Sequence, residues 1–304
     1  VKNNTFYSHG KLLLSAEYVV LDGALALAIP TKYGQSLIVE PIDKPVLHWK
    51  SFDETKNIWF DTTFDLKGNT IECHDLNNAI SNRLIEILQA SKALNPEFLN
   101  SDQGYKIETH LEFPKNWGLG TSSTLITNIA KWANIDPFQL LEKTFGGSGY
   151  DIACAQHNQA ITYKIAEHKK VVEHSNFNPI FKEQLYFVHL NKKQNSRDGI
   201  KHYHENKKNA ASAINAINKL TLEMINCQTL DHFQDLMVSH ENLIAKLTKQ
   251  TPVKDIYFKD FDGAIKSLGA WGGDFVLVAS KQNPTTYFNS KGFNTVIPYG
   301  KMAL

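Results

Sequence analysis

Pro114-Lys115-Asn116-Trp117-Gly118-Leu119-Gly120-Thr121-Ser122-Ser123-Thr124 is the stretch around which the rest of the chain organises. Its glycines let the backbone approach an anion closely. The spacing of Leu125, Ile126, Ile129, Ala130 and Ala133 then predicts a helix whose first N–H groups and positive dipole end face the loop. A polyphosphate placed there meets donors and favourable charge together. The hydroxyls of Thr121, Ser122, Ser123 and Thr124 add donors, one of them suited to a Mg2+ bridging the phosphates. The same residues also suit a plain helix N-cap, where Ser and Thr are common. No Gly-x-x-x-x-Gly-Lys-Ser/Thr, His-Arg-Asp or Asp-Phe-Gly occurs, which removes the P-loop NTPases and the protein kinases.

Upstream of the loop, Tyr105–Phe113 alternates like a strand, giving the order strand, glycine loop, helix. Leu76–Leu94 has the spacing of an amphipathic helix, and Val46–Phe64 that of exposed antiparallel strands. Lys11–Val20 and Ala24–Ile29 read as strands joined by a turn at Asp22-Gly23. Downstream, a new unit begins near Pro179: a strand at Leu185–Leu190, helices at Glu205–Ile225 and Leu230–Leu247, and a shorter helix ending near Leu268. A Gly-rich turn at Gly269–Gly273 and strands at Phe275–Ala279 and Asn294–Pro298 complete what reads as a small α+β sandwich. The expected domains are therefore 1–178 and 179–304.

With 32 Lys and Arg against 31 Asp and Glu, the net charge is +1, which lacks the basic excess of a nucleic-acid binder. Cys73, Cys154 and Cys227 stand far apart and suggest neither a disulfide framework nor a zinc site, so a reducing cytoplasm is expected. No apolar run reaches the length of a membrane span. The expectation is a monomer or homodimer acting on a small-molecule substrate, without a nucleic-acid or membrane partner.

Two further constellations carry chemistry. Gly146-Gly147-Ser148-Gly149-Tyr150-Asp151 delivers one carboxylate on a flexible loop, either as a helix N-cap or as a general base taking a proton from an attacking hydroxyl. Ser8-His9-Gly10-Lys11 opens an apolar strand with a lysine. That lysine is a solvated edge residue or, next to Asp151, a cation that orients the carboxylate and steadies charge on a transferring phosphoryl group.

Together these stretches resemble the GHMP kinases, the family of galactokinase, homoserine kinase, mevalonate kinase and phosphomevalonate kinase, over nearly the whole chain. Gly10-Lys11 leading to Ala16-Glu17-Tyr18 resembles the first motif, with Ala16 in place of a glycine. Pro114–Ser123 resembles the second, with Thr121 for a Ser and Ser123 for an Ala, and Gly269-Ala270-Trp271-Gly272-Gly273 resembles the third, with Trp271 at a usual glycine. The resemblance implies a two-domain α+β fold with a left-handed βαβ unit in the N-terminal domain, a ferredoxin-like C-terminal domain, and ATP and substrate in the cleft between them.

Carried over residue by residue, it implies Lys11 and Asp151 as the catalytic pair, and Gly118, Leu119, Gly120, Thr121, Ser122 and Ser123 as the ATP phosphate cradle. It further implies Ser122 and Glu142 as Mg2+ ligands, and Glu17, Tyr18, Gly272, Gly273 and Arg197 on the substrate side. Asp151 separates the chain from homoserine kinases, and Lys11 separates it from diphosphomevalonate decarboxylases. His189, Lys192, Lys193, Arg197 and Lys201 either form a solvated face or meet an anionic substrate, the latter favouring phosphomevalonate over mevalonate. Another small metabolite such as a sugar, or a non-catalytic ligand sensor, is the alternative.

Overall fold

The computed structural model describes residues 4–68, 70–73, 78–100, 103–193, 196–207 and 210–304, which form two compact units. One gathers the chain up to Gly10 with Tyr33–Lys115 and Gly120–Gln156; the other gathers Lys11–Lys32, Asn116–Leu119 and His157–Leu304. Strands β1 (Asn4–Leu13) and β2 (Ala26–Ile42) have residues in both.

In the first unit, β3 (Val46–Phe52), β4 (Ile58–Lys67) and β5 (Thr70–Cys73) pair antiparallel in succession. Strand β3 runs parallel to β6 (Gly104–Leu111), and β6 is antiparallel to the Gln35–Ile42 part of β2. Period-two alternation builds the sheet: Leu47, Trp49 and Ser51 of β3 are buried while His48 between them is exposed. The buried face sets Leu37, Trp49, Phe64 and Ile107 against Leu84, Ile126 and Leu140. These come from α1 (Ala79–Leu94), α2 (Thr121–Ala133) and α3 (Pro137–Thr144), and α4 (Tyr150–Ala155) packs on α2. Strands expected to be exposed are thus half core, because helices distant in sequence cover one face. Leu76 lies outside the described residues; α1 starts at Ala79, with the Asn78 side chain accepting from the N–H groups of Ile80 and Ser81.

In the second unit, β7 (Ile161–Ala166) pairs with Ala26–Ala28 of β2 and with β8 (Lys169–His174). A separate antiparallel sheet has the order β10 (Ala264–Ser267), β11 (Phe275–Ala279), β9 (Leu185–His189), β12 (Val296–Pro298). Every residue of β9, β10 and β11 is buried. Helices α5 (Ser196–Asn206), α6 (Ala210–Asn226) and α7 (Leu230–Thr248) precede the short α8 (Val253–Tyr257), with α9 (Thr285–Ser290) and α10 (Tyr299–Met302) near the C-terminus. Among the described residues no helix is long and apolar enough to cross a membrane.

Three expected elements differ. Strand β1 ends at Leu13, and Ser15–Tyr18 is a turn with Ala16 and Tyr18 at φ +66° and +64°, running into a 3-10 helix at Val19–Asp22. The helix expected to end near Leu268 is α8 followed by strand β10, since a short apolar run buried on both faces carries no readable period. The pattern over Glu205–Ile225 belongs to two helices, the end of α5 and α6.

Candidate active site

Strand β1 brings Lys11 against the glycine loop by both its ends. The Lys11 N–H donates to the Leu119 carbonyl at 3.0 Å, and Nζ donates to the Gly118 carbonyl at 3.0 Å. Leu119 is fully buried and anchors the loop. Gly118 has φ +67°, and a Cβ there would run into the Asp274 carboxylate, so glycine is required on two counts. The loop is propped by His189, whose Nε2 lies 3.1 Å from the Asn116 carbonyl, and by a T-shaped contact between Trp117 and Phe275.

The loop then enters α2 through Gly120, which takes the N-cap position at φ +91° with no side-chain cap. The hydroxyl residues therefore stand inside the first turn, and the reading of them as an N-cap does not hold. Ser122 is exposed and Thr121 half-buried. Ser123 Oγ turns back to the Gly120 carbonyl at 2.9 Å, and Thr124 Oγ1 lies 2.7 Å from Gln35 Oε1. Two hydroxyls thus serve the loop backbone and the core. The first N–H groups of α2 have no intrahelical partner, the arrangement that receives an anion.

Four consecutive residues of the first motif are each held by a different element of the second unit. Ser15 Oγ accepts from Thr221 of α6 at 2.8 Å, and the Ala16 N–H donates to His240 Nε2 of α7 at 2.9 Å. The Glu17 carboxylate is ion-paired with Lys266 of β10, and the Tyr18 hydroxyl accepts from the Trp271 N–H at 3.0 Å. Donation into Nε2 leaves the His240 ring proton on Nδ1. Burial, then Lys266, holds His240 well below its ordinary value, so the ring is neutral. Burial pushes Glu17 up against the opposing pull of Lys266, and it pushes the neighbouring Glu241 to about 7. Glu241 accepts from both the N–H and the hydroxyl of Ser267.

Glu17, implied as a substrate contact, is wholly buried, and its carboxylate faces Lys266. Tyr18 is 6% exposed, with its hydroxyl on the glycine-rich turn. Trp271 does not crowd the outside of that turn: it is 2% exposed and points inward. Gly272 keeps the positive φ, +86°, that the turn requires. Asp274 closes the third motif in sequence, whereas Lys266, His240 and Glu241 lie outside all three motifs. Their only signals were a lysine inside the apolar run Ala264-Ile265-Lys266 and a His-Glu pair on a helix.

Asp151 is the second residue of α4, after Gly149 at the N-cap; it is half-buried, and its Oδ1 accepts from the Ile152 N–H at 3.0 Å. Asp151 and Ser122 belong to the first unit, Lys11 and Gly118 to the second. Glu142 is exposed on α3. Among the described residues no group of three or more His, Cys, Asp and Glu is placed to hold a metal ion. The oxygens of Ser122 and Glu142 have the chemistry Mg2+ takes when substrate phosphates supply its other ligands. The Arg197 side chain lies outside the described residues. Of the remaining cationic cluster, His189 is turned under the loop while Lys192, Lys193 and Lys201 are exposed.

The architecture is that of the GHMP kinases: a mixed α+β chain with two sheets that superposes on such enzymes over nearly its whole length. Methanococcus jannaschii mevalonate kinase matches with a TM-score of 0.72 at 15% identity, covering 97% of each chain. Streptococcus pneumoniae phosphomevalonate kinase, in complex with phosphomevalonate and AMPPNP, matches at 0.70 and 15%, covering 96% of this chain and 99% of that one. Lactococcus lactis galactokinase complexed with galactose matches at 0.68 and 13%, covering 95% and 88%. No family model and no curated protein matches the sequence.

Proposed function

We propose that the chain is an ATP-dependent small-molecule kinase of the cytoplasm that transfers the γ-phosphoryl group to phosphomevalonate or mevalonate. The observation that carries this reading is the double attachment of Lys11 to Gly118 and Leu119, on a loop that leads into a helix N-terminus no side chain caps. Loop amides and Lys11 would bind and orient the phosphates, and Asp151 would take the acceptor hydroxyl's proton. Ser122 and Glu142 would hold Mg2+, which would neutralise phosphate charge when bound. Substrate contacts at Gly272, Gly273 and Arg197, and the division into domains 1–178 and 179–304, belong to the same proposal.

The AMPPNP complex of the pneumococcal relative supports ATP as donor, and the mevalonate-pathway enzymes among the neighbours support the acceptor class. A sugar acceptor is the second reading, favoured by the galactokinase match and by that of a D-glycero-D-manno-heptose 1-phosphate kinase from Bacteriodes thetaiotaomicron. Coupled ADP release with Mg-ATP against mevalonate, phosphomevalonate, galactose and heptose phosphates separates the two. Turnover confined to a mevalonate compound supports the first; turnover confined to a sugar replaces it with the second.

A further inference from the structure

We propose that Tyr18 is a positioning residue that fixes the glycine-rich turn at 269–273, its hydroxyl holding the Trp271 N–H and seated in a notch that only Gly199 leaves open. In its bearing on turnover this rests on the kinase reading above. The hydrogen bond spans 253 residues of sequence, and both partners are buried. Tyr18 stacks on Tyr203 of α5 with ring centroids 5.9 Å apart, and the Tyr203 hydroxyl donates to Asp22. A Cβ on Gly199, in the first turns of α5, would stand 2.5 Å from the Tyr18 hydroxyl oxygen. The Tyr18 ring thus packs on two positions of α5 one turn apart, the Tyr203 ring and the bare Gly199 backbone.

The turn needs such a hold. Gly269, Gly272 and Asp274 all have positive φ, and a loop of that kind has many alternatives open to it unless its backbone groups are bonded. On the opposite side Tyr18 has φ +64° and Ala16 +66°, a strained pair for non-glycine residues that persists where surrounding contacts over-determine it. Thr221, His240 and Lys266 supply those contacts to Ser15, Ala16 and Glu17. The strained turn is a rigid bracket, and Tyr18 is the arm by which it reaches the glycine-rich turn.

The test is amide exchange at Trp271 read beside kinetics. In the wild-type protein the Trp271 amide should exchange slowly while the Gly272 and Gly273 amides exchange at loop rates; a Trp271 amide as fast as its neighbours overturns the proposal without any variant. Tyr18→Phe keeps the stack and removes the acceptor, and should speed exchange at Trp271 about tenfold. Gly199→Ala should do the same although alanine favours the helix, because its methyl displaces the Tyr18 ring. In ADP release, both variants should lower kcat severalfold with the KM for Mg-ATP held within about twofold, the pattern of lost positioning. Exchange that rises equally across β9, β10 and β11 signals a general loss of stability and overturns the proposal, as do unchanged exchange and kcat in both variants. Faster exchange at Trp271 in a protein whose wild type turns over no acceptor keeps the latch and removes the kinase reading.

Discussion

Lys266 and Glu17, 249 residues apart in sequence, form an ion pair in which neither side chain has any exposure to solvent. The Lys266 ammonium also donates to the Ser267 carbonyl at 2.9 Å, and Glu241 closes the far side of the cluster through Ser267. Removing one partner of such a pair strands a charge where water cannot reach it. Lys266→Met should destabilise the fold by about 3–5 kcal/mol, read as a lower denaturant midpoint. The double variant Glu17→Gln with Lys266→Met should recover a large part of that loss, because neither charge remains to be solvated. Additive losses would show that the pair is not the stabilising unit.

The same cluster makes stability depend on pH. Burial pushes the Glu241 carboxyl to about 7 from an ordinary 4.5. A raised folded value means that between those pH values the folded chain holds a proton the unfolded chain has released. Its contribution is therefore full below 4.5 and lost as pH rises through 7, by roughly 3 kcal/mol. His240 has the opposite sign, since its value is depressed: its contribution is present above 6.5 and lost as pH falls. Comparing wild type with Glu241→Gln isolates the first effect. Urea midpoints from about pH 5 to pH 8 should show the wild type losing stability relative to the variant, and a constant difference would remove Glu241 from this role.

Gly118 in the glycine loop has no room for a side chain in its present setting. Ala there adds a methyl against the Asp274 carboxylate and forces a left-handed backbone on an L-residue. Gly118→Ala should cost about 2 kcal/mol of stability and weaken Mg-AMPPNP binding about tenfold by calorimetry. Binding that survives unchanged would mean that phosphates do not use this loop.

The loop, its helix and the place of Asp151 at the start of a further segment were legible because their cues are local: glycines, a run of hydroxyls and helical spacing within a dozen residues. The strands on either side of the loop were legible through alternation, although not which face is covered, since Trp49 meets α1 and α2 only after folding. Glu17 and Tyr18 stood out as motif residues, but their task was hidden. Each is defined by a partner some 250 residues away, Lys266 or Trp271, whose local context reads as ordinary strand and turn. The strand β10 was hidden for the same reason: burial on both faces erases the period that separates strand from helix.

If Asp151 takes the acceptor's proton in phosphoryl transfer, a single-turnover ADP-release assay on wild type and Asp151→Ala, with Mg-ATP affinity measured in parallel, will show it. The wild type should release ADP only when mevalonate or phosphomevalonate is present. The variant should bind Mg-ATP within about threefold of wild type and lose at least about a hundredfold in transfer. Transfer by Asp151→Ala at the wild-type rate, or a wild type that binds Mg-ATP and releases no ADP with any acceptor alcohol, would contradict the account.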